Sequence, residues 1–357
     1  MKTSLRTTRL HLAEPLRISR SVMAARDAVW LTVEHDGMRG HGEAVTSVHY
    51  GLDAAAVRSD LTECGRDLAR FGSPESALEA ARDGGLLPDG TPPIVADAVE
   101  AALFDLVGKR AGTPVHRLLG AESSPAVPTA RTLGIMDAGR AASHARCLAE
   151  AGFTVLKVKA GSPDPQDDLD RVRAVAGAAP RARLLLDPNG AWTFRQAREL
   201  LPQFAELGVE AVEQPVVPGD PEALARLAET SPLPVIADED AASVEDARRL
   251  AGRVHGVNVK LAKCGGLSAA LRIAEALDGS STDLMLGCLT ASSLGIAPAV
   301  HLAGRARWAD LDGHLLLAHD PWRGIGGTDG TVRAGHAPGL GVYEASPQIS
   351  PQGATAP

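Results

Sequence analysis

Aromatic residues are scarce in this chain, 3% of 357 positions, and nowhere do they interleave with a basic patch. With a net charge of −8 and no basic stripe, no nucleic-acid partner is expected. No apolar run approaches the length needed to cross a bilayer, so no membrane span is expected either. Basic residues occur in Met1–Leu12 without an apolar segment behind them, which argues against a signal peptide. Cysteine is sparse too: Cys64, Cys147, Cys264 and Cys288 are scattered, with no Cys-x-x-Cys pair. That spacing argues against a zinc site or a disulfide framework, and for reduced thiols in the cytoplasm. Small buried side chains are the expected role of Cys264 and Cys288. What remains is the composition of a soluble globular protein of one or two domains, 45% hydrophobic and 22% charged.

Residues Ser4–Ala13 and Ala28–Ala44 alternate like antiparallel strands, with Asp36-Gly37 as a hairpin turn signal. Between them Pro15–Ala25, with Arg17 and Arg20, reads as a loop. Leu52–Phe71 and Pro93–Ala111 read as helices, the second with Val95, Val99, Ala102, Leu103 and Leu106 at helical spacing. Strands followed by helices make residues 1–120 an α+β layer domain. From about Val127 short apolar runs alternate with helical patterns. The strand candidates are Pro128–Leu133, Thr154–Lys159, Arg183–Asp187, Val209–Glu213, Val235–Asp238, Val257–Lys260, Leu284–Cys288 and Arg307–Asp310. Such an alternation reads as an α/β closed (β/α)8 barrel over 121–320, with an open doubly wound sheet as the alternative. No Gly-x-Gly-x-x-Gly follows the first strand, which argues against a dinucleotide site. Residues 321–345 form a Gly- and Pro-rich segment returning to the first domain, and 346–357 read as a disordered tail.

The chemistry collects at the strand ends. Lys157 and Lys159 share one face of the second barrel strand, because strand side chains alternate. The pair is either a solvated basic face or two ammonium groups whose repulsion lowers both pKa values toward base function. Strands three, four and five end in Asp187, Glu213 and Asp238, and strand six in Lys260. Asp310 and Asp312 close strand eight. A lone Asp after a strand is normally a helix N-cap, but a run of charged strand ends in register makes a barrel mouth. Asp187, Glu213 and Asp238 can converge on one point, which requires a cation; all-oxygen donors favour Mg²⁺. Strands two and six lie opposite each other in an eight-strand ring, so Lys159 and Lys260 face across the mouth. Two bases flanking a carbon next to a cation-held carbonyl can move a proton from one face to the other.

Lys157-Val158-Lys159, Asp187-Pro188-Asn189, Glu213-Gln214-Pro215, Ala237-Asp238-Glu239 and Lys260-Leu261-Ala262-Lys263 together resemble the enolase superfamily, in its muconate-lactonizing branch. Gly40-His41-Gly42-Glu43 matches that family's N-terminal capping domain, and Asp310-Leu311-Asp312 resembles the Asp-x-Asp motif of its dipeptide epimerases. The resemblance implies Mg²⁺ on Asp187, Glu213 and Asp238, acid/base roles for Lys159 and Lys260, and tuning of Lys159 by Lys157. It also implies that Asp310 and Asp312 bind a dipeptide's free ammonium, that Arg20 and Tyr50 contact substrate, and that a homo-oligomer forms. Strand seven departs from the pattern, with Ala291-Ser292 where a Glu-Ser pair is common, and it has no His, unlike the mandelate-racemase branch. Pro188 stands where a small residue is usual. An L-Ala-L/D-Glu substrate is the default expectation. The competing readings are an o-succinylbenzoate synthase, N-acylamino-acid racemase or muconate cycloisomerase, a Schiff-base lysine enzyme, and a binding protein that kept only the fold.

Overall fold

The structure, a computed structural model, describes residues 1–47 and 51–345; Tyr50 and the tail read from Ser346 lie outside the described residues. The chain begins with a three-stranded antiparallel sheet, Lys2–Ile18, Ser21–His35 and Met38–Val45. Asp36 and Gly37, both at positive φ, turn the second hairpin as the Asp-Gly signal predicts. Pro15–Ala25, expected as a loop, is instead the paired end of the first hairpin. Leu16 faces Met23, Arg17 faces Val22 and Ile18 faces Ser21, so only Ser19 and Arg20 turn. Pro15 has no N–H for the ladder, and pairing lapses between His11 and Leu16 before resuming. Arg17 and Arg20, which suggested a loop, are exposed on a hairpin end that projects beyond the buried part of the sheet.

Helix Pro93–Arg110 packs across this sheet with Val95, Val99, Ala102, Leu103 and Leu106 all buried. Gly40 and Gly42 permit the close approach, because a Cβ at either would overlap the carbonyls of Ala102 or Ala98.

Eight parallel strands follow: Arg131–Leu133, Val155–Lys159, Arg183–Asp187, Val209–Glu213, Val235–Ala237, Gly256–Val259, Asp283–Gly287 and Trp308–Asp310. They are hydrogen-bonded in sequence order, and the Ala130 N–H donates to Ala309 O at 2.8 Å, joining first to last. The sheet is therefore a barrel and not a doubly wound layer. Its first strand is shorter than expected, because Ala126–Pro128 pairs antiparallel with Thr331–Arg333 outside the ring. The crossover helix Pro165–Ala178 shows how local sequence starts such elements. Asp164 accepts the Gln166 N–H, Pro165 presets the first turn, and Asp167 and Asp168 meet its positive end.

Inside the ring, Ala130, Val155, Leu185, Ala211, Ile236, Met285 and Trp308 form one apolar cluster. Strand six contributes Gly256, where a Cβ would come within 2.8 Å of the Trp308 ring. Two residues further along each strand, the same face carries Thr132, Lys157, Asp187, Glu213, Asp238, Asn258, Gly287 and Asp310. The apolar plug is thus the floor of a charged layer.

The cap is fastened to the barrel by Glu43. Its Oε1 accepts the Ser292 N–H at 2.8 Å, and its Oε2 accepts the Trp30 Nε1–H at 2.6 Å and the Ser292 hydroxyl. Trp322, from the C-terminal segment, packs edge-on against Trp30 with ring centroids 5.6 Å apart. Among the described residues no helix is long and apolar enough to cross a membrane.

Burial pushes the Glu43 carboxyl up to about 7 from 4.5, against the three donors that favour its charged form. A raised folded-state pKa means that folding takes up a proton. The associated stability is full below about pH 4.5 and is lost as pH rises through about 7. At 1.36 kcal/mol per pKa unit the loss is at most about 3 kcal/mol. Glu43→Gln should flatten this part of the pH profile of chemical denaturation; an unchanged slope would show that Glu43 is not its source.

Candidate active site

Above the apolar plug, ammonium and carboxylate groups alternate in one chain of contacts. Lys159 Nζ meets Asp187 Oδ2, which lies 3.0 Å from Lys157 Nζ; Lys157 Nζ lies 2.6 Å from Glu213 Oε2. Glu213 Oε1 is 3.8 Å from Lys260 Nζ, which sits 2.6 Å from Asp238 Oδ2, and Asp238 Oδ1 is 2.7 Å from Lys263 Nζ. Asp310 joins as a branch, 2.7 Å from Lys157 Nζ. Four lysines thus face four acids, and the structure gathers Lys157, Lys159, Lys260, Asp187, Glu213, Asp238 and Asp310 into one cluster, buried except for Lys260, which is partly exposed.

Lys157 overturns the expectation that the lysine pair would lower its pKa. Burial alone would lower it, but Asp187, Asp310 and Glu213 outweigh that and lift it well above an ordinary lysine. The two lysines share one strand, whereas the deciding charges come from strands three, four and eight. Lys260 is raised in the same way, with burial opposed by Asp238 and Glu213. Burial also works on the acids, yet Lys157 and Lys159 hold Asp187 well below the usual range, and Lys260 and Lys263 do the same for Asp238. Glu213 is different: burial, reinforced by Asp187 and Asp238, pushes it up to about 7 despite Lys157.

Asp187, Glu213 and Asp238 stand at one level at the ends of adjacent strands, but they turn onto ammonium groups, Asp187 and Glu213 onto Lys157 and Glu213 and Asp238 onto Lys260, and not onto one point common to all three. Among the described residues, no three His, Cys, Asp or Glu side chains are grouped as around a metal ion. The donor set nevertheless fits a hard cation. It is all oxygen, it is buried, and Glu213 Oε2 has no hydrogen bond, only the charge of Lys157 beside it.

The backbone is bent to serve these acids. Asn189, two residues past Asp187, and Gln214, directly after Glu213, adopt positive φ of 49° and 36°. A non-glycine residue in that region is uncommon, and such outliers collect at functional sites. Asn189 returns its backbone N–H to Asp187 Oδ1 at 2.8 Å. Gln214 Oε1 accepts the N–H groups of Asp238 and Asp240, tying the fourth strand end to the fifth.

Three contributors escaped sequence reading or were assigned too small a part. Asn258 Nδ2 donates to Glu213 Oε1 at 2.8 Å, and Gly287 makes room for it, since a Cβ there would overlap the Asn258 amide. The inward spacing Gly256, Asn258, Lys260 was the signal that could have revealed it. Lys263 is buried with its ammonium on the carboxylate and carbonyl of Asp238. Arg131 donates to Asp312 Oδ2 at 3.1 Å and to Leu315 O at 2.9 Å, while the Thr132 N–H meets the same Asp312 oxygen at 2.7 Å. Asp310 Oδ1 is buried without a hydrogen-bond partner. Arg20, at the hairpin tip, reaches the barrel mouth, where it lies 2.8 Å from Glu239 Oε1 and donates to Asn189 O at 3.0 Å.

Two family models account for almost the whole chain. One described as "Enolase C-terminal domain-like" matches residues 140–344, and one described as "Mandelate racemase / muconate lactonizing enzyme, N-terminal domain" matches residues 1–120. The chain belongs to the mandelate racemase / muconate lactonizing enzyme family. It is 33% identical over 346 residues to a "Hydrophobic dipeptide epimerase" of Roseobacter litoralis, covering 96% of this chain and 98% of that protein. It is 31% identical over 323 residues to an "L-Ala-D/L-Glu epimerase" of Bacteroides thetaiotaomicron, covering 88% and 81%. A dipeptide epimerase of Enterococcus faecalis, solved with Mg and L-Leu-L-Tyr, superposes with a TM-score of 0.89 at 29% identity, covering 96% of this chain and 99% of that one. The strand-seven departure lies where the cap touches the barrel. Ala291 carries no carboxylate, and the acid that reaches Ser292 is Glu43.

Proposed function

We propose that this family member is a dipeptide epimerase that inverts the α-carbon of the C-terminal residue. The observation that carries the reading is the chain of alternating charge, which sets Lys159 and Lys260 on separate strands around one buried acid cluster. Lys159 removes the α-proton from one face of the substrate, and Lys260 as an ammonium delivers a proton to the other; the opposite epimer reverses the roles. Lys157, held charged by three acids, does not take protons; it fixes Asp187 and Asp310 and presents a positive charge next to Lys159.

Asp187, Glu213 and Asp238 would hold Mg²⁺. Bound there, its charge would offset the negative charge that develops on the substrate carboxylate, and would compete with the lysines for their acids, easing them toward the neutral form a base needs. Asp310 and Asp312 take the substrate's free α-ammonium. Asp310 Oδ1 is a buried acceptor awaiting a donor, and Asp312 is anchored through Oδ2, which leaves its other oxygen for the ligand.

The default acidic side chain is not the best fit. Arg20 is already neutralised by Glu239, so the site favours an uncharged C-terminal side chain over glutamate. The kinship with a hydrophobic dipeptide epimerase supports the same preference.

A dipeptide library in D₂O with Mg²⁺ should acquire deuterium at the C-terminal α-carbon, fastest for apolar residues, as read by mass spectrometry. Absence of exchange from every dipeptide would defeat the assignment, and faster exchange of L-Ala-L-Glu than of L-Ala-L-Leu would reverse the preference. Lys159→Ala and Lys260→Ala should each lose exchange from one epimer while keeping it in the other; equal loss from both would exclude separate faces. Chelation with EDTA should abolish exchange and added Mg²⁺ restore it, whereas full activity after chelation would remove the cation.

A further inference from the structure

The two lysines at the mouth are chemically alike but are held by different devices. Lys260 is the residue from which the helical turn Leu261–Cys264 starts, its carbonyl accepting the Lys263 and Cys264 N–H groups. The carbonyl of Lys159 accepts instead from Arg171 Nε at 3.3 Å, out of the crossover helix Pro165–Ala178.

Arg171 is only 2% exposed, and Asp168, one turn earlier on the same helix, is 0% exposed. The two form a direct ion pair, and between them they bind Gly161 and Ser162, the second and third residues after Lys159, while the Ala160 N–H donates to Asp187 O at 3.0 Å. Asp168 Oδ2 accepts the Gly161 N–H at 2.7 Å and the Ser162 N–H at 3.0 Å; Oδ1 accepts the Ser162 hydroxyl at 2.6 Å. The other arms of Arg171 reach Met136 O at 2.9 Å, in the connection after strand one, and Ser162 Oγ at 3.1 Å. Gly161 adopts φ +91°, and a Cβ there would meet Ser19 of the cap hairpin at 2.7 Å and Ala191 at 2.6 Å. The turn is thus hemmed in from three sides.

A buried ion pair is a poor way to gain stability, because desolvation offsets most of the attraction. A planar fork with several donors is, however, well suited to fixing several carbonyls in one geometry. Among the described residues, the one hydrogen bond from Arg171 to the charged cluster is the one to the Lys159 carbonyl. We propose that Arg171, oriented by Asp168, is a positioning residue for Lys159 alone. It sets where one of the two bases stands and leaves the other untouched. This inference rests on the two-lysine reading above.

The test is Arg171→Lys, which keeps a positive charge for Asp168 but cannot reach Lys159 O, Met136 O and Ser162 together. Deuterium incorporation is followed separately for the two C-terminal epimers of one dipeptide, beside wild type, Lys159→Ala and Lys260→Ala. A displaced base is expected to slow exchange about tenfold or more, since a shift of about 1 Å can cost about a hundredfold. The slowing should fall on the epimer that Lys159→Ala silences, while the other epimer stays within about twofold of wild type. Equal slowing of both epimers, or of neither, would overturn the proposal, because a merely structural role has no reason to choose a face. Should Arg171→Lys not fold, Ser162→Ala, which removes the hydroxyl shared by Asp168 and Arg171, is read in the same way. If wild type exchanges neither epimer, the two-lysine reading fails, and this inference with it.

Discussion

Charge neutralisation in a closed space governs this molecule. Four ammonium and four carboxylate groups lie above an apolar plug, where an unpaired charge is far too costly to bury. Alternation is the arrangement that satisfies all of them, and it demands that several strands end at the same height. The parallel register supplies that height: Lys159 pairs with Asp187 and Glu213 pairs with Ile236, directly before the segment that leads to Asp238. The small residues follow from the same demand. Gly256 clears space for Trp308 in the floor, and Gly287 clears space for the amide that holds Glu213. The arrangement is therefore a property of the whole ring and of no single strand.

That distinction separates what the sequence reveals from what it hides. Identity and height of the charged residues are local properties, readable from a two-residue alternation and from where each apolar run stops, so Lys157, Lys159, Asp187, Glu213, Asp238, Lys260 and Asp310 could be named in advance. The electrostatic state of Lys157 is not local. Its three acids are 30, 56 and 153 positions away, and reasoning from its neighbour Lys159 gave the wrong sign. Arg171 and Asp168 look in sequence like ordinary charges on an amphipathic helix, and only the turn of strand two onto that helix reveals them as buried. The arginines of the cap hairpin misled in the opposite sense, because polar residues on an exposed hairpin end carry no alternation signal.

The cap does more than cover the barrel. Glu43 binds the start of the helix after strand seven, while the hairpin tip lays Arg20 against Glu239 and the Asn189 carbonyl. Both contacts land on segments that directly follow site residues: Asn189 succeeds Asp187 by two positions, and Glu239 follows Asp238. A shift of the cap would therefore be transmitted to the acids through their own backbone. An arginine occupied in this way is a clasp between cap and barrel, and its presence alone does not argue for an acidic side chain on a substrate.

The acid pair of strand eight shows how position divides labour between like residues. Asp310 lies inside the charged layer, where burial and the charge of Asp312 raise its pKa against the pull of Lys157, and one of its oxygens has no donor. Asp312 is approached from the first strand by Arg131 and by the Thr132 N–H, both on the same oxygen. One acid is thus short of a donor while the other is braced by its neighbours. Under the proposed function, a ligand ammonium with several N–H groups would answer the first need, and the second would fix where that ammonium sits. Recognition of this kind would work through the geometry of a braced carboxylate more than through net charge, since Lys157 and Arg131 already balance the pair.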